Sequence, residues 1–304
     1  MEGGNAIERN GLPSSAPSDL VLVSTSARTD IRYFDAINAT SAATALAARL
    51  AGEIKHENHN LSALSIRALM VHSAEWTDEM KRQNTDNGKL NKNNLLHTCG
   101  YGVPNKDKAI ASDDSYATFI AEEVINPLAE AKDGTCKLNA MHVYELPWPK
   151  EILEHMGDTE VTLKVTLSYY IEPAPGSKTK MNKYRYPSMR LSFDVNNPTE
   201  NKEQFISRVS HISQEGVEKV KNGSSRWGLG SNFRKHGCLI SDYIKASAAD
   251  IASCNMIAIY PVTGWWKYRR FSEDRKIKYS LVVSIETPGV DIYNSIAQQV
   301  EIEI

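Results

Sequence analysis

The sequence predicts an α/β segment followed by a mainly-β sandwich domain with one inserted helix. Up to about residue 112, a short apolar strand precedes segments rich in helix-forming residues. From residue 113 onward, short runs with strand composition are separated by Pro and Gly turns, and several alternate apolar with polar residues. We therefore expect two domains, residues 1–112 and residues 113–304.

The bulk composition excludes several classes of protein. The chain has 304 residues, of which 41% are hydrophobic and 24% are charged, and its net charge is −2 at pH 7. This balance gives no reason to expect nucleic acid or an anionic membrane as a partner, and no apolar run is long enough to span a bilayer. The first residues lack the basic and apolar stretches of a signal peptide.

The four cysteines lie far apart, and none belongs to a C-x-x-C pair. A disulfide framework or a zinc site would need a denser or more regular pattern. We therefore expect free thiols in a reducing compartment, which favours a cytoplasmic protein with no cofactor and no metal.

The first domain is predicted to begin with a strand at residues 18–26. A helix follows from Ala42 to Ile54, because apolar residues recur there at intervals of four. Ser62 is a suitable N-cap for a second helix, with Leu64, Ala68, Leu69 and Val71 facing inward. Residues 81–98 are polar and predict a loop. The segment CGYGVPNKDKAIAS, which begins at Cys99, predicts a tight turn and then a short helix.

The second domain is predicted from the period of its strands. In residues 161–168, VTLKVTLS, every second residue is a valine or leucine and the residues between them are polar, as in a half-buried strand. Similar runs occur at intervals up to KYSLVVSIETP. Trp148 is predicted to end a strand before a turn and a short helix, and a longer helix is expected at about 199–220.

The stretch NATSAATALAARL, residues 38–50, places Thr40 and Ser41 at the start of the first helix. Two interpretations are open for this pair. Either hydroxyl is suited to cap the helix, as Ser and Thr commonly do. Alternatively, Ser41 is a nucleophile, with its own N–H and the helix dipole directed at a developing oxyanion.

Three segments together resemble the subtilisin-like serine peptidases. NATSAATALAARLAGEI is similar to the G-T-S-x-A-x-P serine motif, LSALSIRALMVHSA to the helix that follows it, and GYGVPNKDKAI to a later Gly-rich turn. VTLKVTLSYYIEP resembles a strand of the β-sandwich appended to many members. The resemblance implies the C-terminal part of a parallel-sheet peptidase domain, a polypeptide substrate, and Ser41 as the nucleophile, with Ala39, Thr40 and Ala43 supporting the motif. Ala39 stands where the family usually has Gly, and Ala45 where it usually has Pro.

In that family the Asp and the His of the triad precede the Ser along the chain. Here the first histidine is His56, and no H-G-T or D-[ST]-G motif precedes Ser41. We therefore expect a chain that is catalytically incomplete alone, because the members of a triad act as a unit. A missing N-terminal half would supply Asp and His, and an exposed apolar surface is expected where its strands pack. The alternative is a non-catalytic β-sandwich interaction module that carries a peptidase relic.

Other chemically suggestive residues favour structural roles. His72 lies within the second helix, where a buried imidazole usually satisfies local hydrogen bonds. His56 and His59 have a metal-like spacing but lie among Lys, Glu and Asn, which favours a solvated loop. Trp265 and Trp266 precede several cations and are suited to stack on bases or sugars, although the net charge favours a packing role for them.

Overall fold

The computed structural model describes residues 6–10, 12–15, 21–110, 116–132, 134–174, 186–215, 226–230, 232–235 and 237–287. The chain divides into two compact units. The first comprises Met1–Leu61 and Ser73–Ile110, and the second comprises Ser62–His72 and Ala111–Ile304. The helix that follows the serine motif therefore belongs to the second unit. The expected domain boundary after residue 112 stays a prediction.

Both units mix helices with antiparallel strands. The helices are α1 (Thr40–Glu57), α2 (Ala63–His72), α3 (Asp78–Gln83), α4 (Lys92–Cys99), α5 (Lys106–Ile110), α6 (Lys150–Met156), α7 (Lys202–Glu215) and α8 (Ala248–Ser253). The strands are β1 (Ala6–Arg9), β2 (Leu12–Ser15), β3 (Leu22–Thr25), β4 (Phe34–Ile37), β5 (Thr85–Asp86), β6 (Lys89–Leu90), β7 (Tyr116–Ile125), β8 (Leu128–Glu130), β9 (Cys136–Leu138), β10 (His142–Glu145), β11 (Glu160–Tyr169), β12 (Arg190–Val195), β13 (Leu239–Ser247), β14 (Met256–Val262) and β15 (Ile277–Glu286). Every strand pair in the described ranges is antiparallel. The parallel sheet implied by the resemblance stays a prediction.

In the first unit, the predicted helix is present as α1 and buries Leu50 and Ile54 on its inner side. The predicted strand at 18–26 is shorter, since β3 begins at Leu22 and residues 18–20 lie outside the described part. β3 pairs with β4 in a hairpin. Strand β4 was not predicted, because its alternation lasts for only four residues.

The prediction of a loop at residues 81–98 is wrong. The segment contains the end of α3, the short β5–β6 hairpin and most of α4. Asparagine side chains stabilise these short elements by forming hydrogen bonds with backbone groups at the ends of the helices. Asn91 caps α4 by accepting a hydrogen bond from the Asn94 N–H at 3.0 Å, and the buried Asn84 donates to the Met80 carbonyl at 2.9 Å. Asn residues that suggest a loop thus serve as helix caps.

The second unit contains a four-stranded sheet and a three-stranded sheet. Their strand orders are β13-β11-β15-β7 and β10-β14-β12. One cluster of buried apolar side chains draws on both sheets, including Leu163 and Leu281 from the first and Phe193 and Ile259 from the second. The two sheets therefore share a core. The assignment of this unit to the β-sandwich class stays a prediction.

Strand β11 is buried more completely than its pattern predicts. Leu163, Val165 and Leu167 are buried, as the period of two requires, but Thr166 and Ser168 on the opposite face are also fully buried. Helix α2 contacts β11 and β15 on this side. The second half of a strand predicted to be half-buried is therefore covered on both faces.

The remaining predictions for the second unit are largely met. A helix expected at 199–220 is present as α7, which runs to Glu215, and residues 216–220 lie outside the described part. The short helix expected after Trp148 is α6. Strand β13 was not anticipated, because LISDYIKAS places the buried Asp242 in the middle of an otherwise apolar run. The Asp242 carboxylate accepts hydrogen bonds from the N–H groups of Leu229 at 2.7 Å and Tyr243 at 2.8 Å.

No helix in the described ranges has the length and apolar character needed to cross a bilayer. The four cysteines form no disulfide; Cys136 and Cys254 are buried, while Cys99 and Cys238 are partly exposed. Burial raises the pKa of the Cys254 thiol.

Candidate active site

The serine motif forms the first turn of α1. The N-cap residue is Ala39, in an extended conformation with φ −159° and ψ 150°, and no side chain caps the turn. Thr40 and Ser41 are the first two residues of the helix. The interpretation of either hydroxyl as the N-cap is therefore wrong, because the cap position belongs to a residue with no polar side chain.

Ser41 is exposed, and no described residue forms a hydrogen bond with its hydroxyl group. Its N–H lies among the first N–H groups of an 18-residue helix, which have no partner within the helix. The positive end of the helix dipole adds to the attraction of these groups for negative charge. The local geometry thus provides a free hydroxyl beside N–H groups suited to an oxyanion.

The supporting motif residues surround this turn. The Thr40 carbonyl accepts a hydrogen bond from the Thr44 hydroxyl at 3.1 Å, and Ala39 accepts one from the Ala42 N–H at 3.0 Å. Ala39 and Ala43 are partly buried. Neither residue has a side chain larger than a methyl group.

No described side chain of the first unit is hydrogen-bonded to the Ser41 hydroxyl in the position of a general base. His56 lies in the same helix but fifteen residues further along, which is about 22 Å away at the rise of an α-helix. His59 is hydrogen-bonded to the Lys55 carbonyl at 3.0 Å. The rings of His56 and His59 contact each other edge to face, with 5.7 Å between the ring centres. No group of side chains in the described ranges is arranged to bind a metal ion.

The Gly-rich turn of the first unit is tightly built. Gly102 adopts a φ of +102°, and a Cβ atom there would overlap the Glu75 carbonyl and lie 2.8 Å from the Trp76 nitrogen. Glu75 and Val103 exchange two backbone hydrogen bonds, of 3.0 and 2.8 Å. The Trp76 indole N–H donates to the Gly100 carbonyl at 2.9 Å. Glycine is therefore required at 102 for both its conformation and its lack of a side chain.

This turn leads into α5, which packs against α1. Asn105 caps α5 by accepting a hydrogen bond from the Lys108 N–H at 3.1 Å. Lys106 pairs with Glu53 of α1 at 3.2 Å, and Arg49 donates to the same carboxylate at 2.8 Å. The hydrogen bond from Arg49, followed by that from Lys106, lowers the pKa of Glu53. The turn is thus linked to the helix that carries Ser41.

His72 has the structural role expected from the sequence. It is buried, with Nδ1 2.9 Å from the Thr166 hydroxyl and Nε2 2.7 Å from the Ser284 hydroxyl. Ser65, two turns earlier in α2, is 2.7 Å from the Ser280 hydroxyl. The inward face of α2 thus includes Ser65 and His72, whereas Val71, which was expected to face inward, is only partly buried.

Arg67 adds a third polar link between α2 and the sheet. Its guanidinium group donates to the Ser168 hydroxyl at 3.0 Å and to the carbonyls of Tyr169 and Cys238, both at 2.7 Å. The same group lies 4.5 Å from the centre of the Tyr170 ring. Helix α2 is therefore held by directional hydrogen bonds as well as by apolar contact.

The tryptophan pair is also structural in its main contacts. Trp266 is buried, and its indole N–H donates to the Glu172 carboxylate at 3.0 Å. Trp265 donates to the Glu172 carbonyl at 3.2 Å. Both indole N–H groups thus donate to Glu172. This agrees with the packing role expected from the sequence.

A buried charged cluster escaped the sequence analysis. Asp194 binds Arg208 at 2.5 Å and accepts a hydrogen bond from the Trp227 indole at 3.0 Å. The guanidinium carbon of Arg234 lies 4.5 Å from the centre of the Trp227 ring, and its Nη1 donates a hydrogen bond to the Phe193 carbonyl at 3.1 Å. Its members are spread over about fifty residues of sequence, so no local motif reveals them.

The arginines of this cluster offset the energetic cost of burying the Asp194 carboxylate. Burial alone would raise the pKa of Asp194, but Arg208, Arg234 and Arg226 hold it below its usual range. Burial raises the pKa of Asp242 despite its backbone hydrogen bonds. Because these groups bind one another, the cluster anchors residues 226–230 and 232–235 to β12 and β13.

A second polar cluster joins the two sheets of this unit. The Tyr279 hydroxyl is 2.6 Å from His142 Nδ1 and is hydrogen-bonded to the Tyr144 hydroxyl. Burial, followed by the Tyr144 contact, raises the pKa of Tyr279 well above its usual value. Tyr279 therefore remains protonated at neutral pH and serves as a link between β15 and β10.

Comparisons with known proteins give a family for the first region of the chain. The family model described as "Subtilase family" matches residues 1–102. The uncharacterized protein y4bN of Sinorhizobium fredii (strain NBRC 101917 / NGR234) is 29% identical over 138 residues, which are 45% of this chain and 28% of that protein. The chain thus spans less than a third of the length of this relative. Residues 1–102 form a subtilase-like region, which supports a serine peptidase at the level of the family.

Proposed function

We propose that the chain provides the nucleophile of a subtilisin-like serine endopeptidase, which a further polypeptide segment completes. Ser41 is the nucleophile, and the further segment carries the His and the Asp of the triad. The observation that supports this is the exposed, unbonded Ser41 in an uncapped helix turn, within the region that the subtilase family matches.

In this proposal the Ser41 hydroxyl oxygen attacks the carbonyl carbon of a peptide bond. The histidine of the further segment accepts the hydroxyl proton and returns it to the leaving amine. The Ser41 N–H, at the positive end of α1, stabilises the oxyanion that forms. Water then hydrolyses the acyl-enzyme and restores the free serine. Ala39, Thr40 and Ala43 keep this turn small enough for a substrate chain to approach.

The second region has a separate part in the proposal. We place a β-sandwich domain at residues 113–304, following the peptidase segment at residues 1–112. The shared core of the two antiparallel sheets supports this assignment. The free thiols support a reducing compartment, and we place the protein in the cytoplasm.

The second candidate function is a non-catalytic interaction module. It is favoured by one observation, that no described residue of the first unit lies within hydrogen-bonding distance of the Ser41 hydroxyl in the role of a base. On this interpretation the serine turn is a relic, and the two sheets of the second unit carry the function.

Labelling with a fluorophosphonate probe separates the two candidates. The chain is incubated with the probe alone and together with the polypeptide encoded directly upstream of Met1. We expect labelling in the mixture that disappears in Ser41→Ala and persists in Ser24→Ala, since Ser24 is another exposed serine of the same unit. If neither mixture shows labelling that depends on Ser41, the peptidase proposal is wrong and the interaction module is favoured.

A further inference from the structure

Backbone hydrogen bonds join three segments of the second unit, residues 170–174, 186–188 and 264–270. The Ser188 N–H donates to the Glu172 carbonyl at 3.0 Å, and the Trp265 N–H donates to the Pro187 carbonyl at 3.1 Å. Gly264 allows this close approach, because a Cβ atom there would overlap the Ser188 carbonyl. Side chains from all three segments are therefore held close together.

These segments bring several aromatic side chains to the surface of the unit. The exposed fractions are 60% for Tyr170 and 68% for both Tyr186 and Tyr268, and Trp265 is partly exposed. Two exposed arginines end the third segment. Trp, Tyr and Arg are the residues most enriched at the hot spots of protein interfaces, so this composition is typical of a binding surface. We call this surface the aromatic rim: Tyr170, Tyr186, Trp265, Tyr268, Arg269 and Arg270.

The cations of this surface have no acidic partner in the part of the chain that the structure describes. There, the side chains of Lys267, Arg269 and Arg270 form no ion pair or hydrogen bond with a carboxylate. Glu273 and Asp274 follow closely along the chain, but they pair with none of these cations. The rim thus combines positive charge with N–H donors that are open to a ligand, and an anionic partner complements it.

The aromatic rings of the rim are not free platforms for nucleic-acid bases. The guanidinium carbon of Arg269 lies 5.9 Å from the centre of the Trp265 ring, and that of Arg67 lies 4.5 Å from the centre of the Tyr170 ring. A base would have to displace a guanidinium group to stack on these faces. In contrast, a guanidinium group placed over a ring keeps the N–H groups of its edge available for a bidentate carboxylate.

We propose that the aromatic rim binds an acidic polypeptide segment. The carboxylates of this segment pair with Arg269 and Arg270, and its remaining atoms pack on the exposed rings of Tyr186 and Tyr268. The net charge of the whole chain, −2, opposes the approach of a long polyanion, whereas a few carboxylates are attracted by the local cations. This inference is independent of the role of Ser41, because every residue of the rim belongs to the second unit.

Fluorescence anisotropy with the full chain tests the chemistry of the partner. The probes are a fluorescein-labelled peptide of alternating Glu and Tyr residues, the matched peptide of alternating Gln and Tyr, an oligothymidylate of the same charge, and labelled phosphatidylserine vesicles. The Glu–Tyr peptide should bind at least about tenfold more tightly than the Gln–Tyr peptide, because each charge-assisted hydrogen bond contributes that much. Equal binding of the two peptides, binding of neither, or tighter binding of the oligothymidylate or the vesicles overturns the proposal.

Substitutions locate the binding surface. Arg269→Glu and Arg270→Glu should each weaken binding of the Glu–Tyr peptide about tenfold or more. Lys89→Glu, at an exposed position of β6 in the first unit, changes the net charge by the same amount and should leave the affinity unchanged. Arg269→Lys keeps the charge but loses the planar fork, so it should weaken binding about threefold. Circular dichroism should show that all four variants fold, because each side chain is exposed. If Lys89→Glu weakens binding as much as Arg269→Glu and Arg270→Glu do, the rim is not the binding site.

Discussion

Replacement of Gly102 by alanine tests whether the Gly-rich turn is as constrained as its geometry implies. The added methyl group would overlap the Glu75 carbonyl, which is backbone and has little freedom to move. The turn must therefore open and break the two hydrogen bonds between Glu75 and Val103. Each is worth about 1 kcal/mol. A positive φ of this kind costs a non-glycine residue a further 1–2 kcal/mol, roughly.

The expected local destabilisation is thus about 3 kcal/mol, or about a hundredfold in the opening equilibrium. Hydrogen exchange at the Glu75 and Val103 amides measures it directly. A local measurement is preferable to a melting temperature, because the chain has two compact units and need not unfold in one step.

Gly52→Ala is the matched control for this prediction. Gly52 lies inside α1 of the same unit, and a Cβ there meets no atom within 4 Å. Alanine should therefore stabilise α1 by about 0.5–1 kcal/mol. If Gly102→Ala speeds exchange at the two amides less than threefold, the close approach of the turn to Glu75 is not a real constraint and the reasoning fails.

Three further predictions concern buried and exposed polar groups. His72→Leu should destabilise the second unit by about 2–3 kcal/mol in urea titrations, because two buried hydroxyls lose a hydrogen-bond partner. The control is His155→Leu, at an exposed site of α6, which should change the stability by less than about 0.5 kcal/mol. Asp194→Asn should cost about 3–5 kcal/mol at neutral pH by leaving buried arginines unpaired. The native pKa of Asp194 lies below its ordinary value, so its ionised form stabilises the fold above that ordinary value. This contribution to the free energy of unfolding is lost as the pH falls through the native pKa of Asp194. Asp194→Asn should therefore lose less stability than the wild type when both are titrated with acid. If the two proteins lose the same stability at low pH, Asp194 is not the group responsible. Glu53→Gln should leave the midpoint of urea unfolding nearly unchanged, since the ion pairs of Glu53 are at the surface and screened by solvent. A clear fall in that midpoint would mean that the contact between α1 and α5 depends on charge.

Local signals in the sequence were enough for part of the fold. The apolar period at intervals of four predicted α1, and the two glycines and Pro104 predicted the turn before α5. In both cases the determining contacts lie within a few residues of each other. The same holds for the alternation that predicted β11.

Long-range contacts account for what the sequence analysis missed. The outer face of β11 looks polar and therefore exposed, and only the docking of α2, about a hundred residues earlier in the chain, buries Thr166 and Ser168. Asp242 interrupts the apolar pattern of β13, and the backbone N–H groups that satisfy it come partly from Leu229 and Gly230. No periodic pattern contains this information. The Asn-rich segment before α4 was misjudged for another reason, because asparagine favours both loops and helix caps.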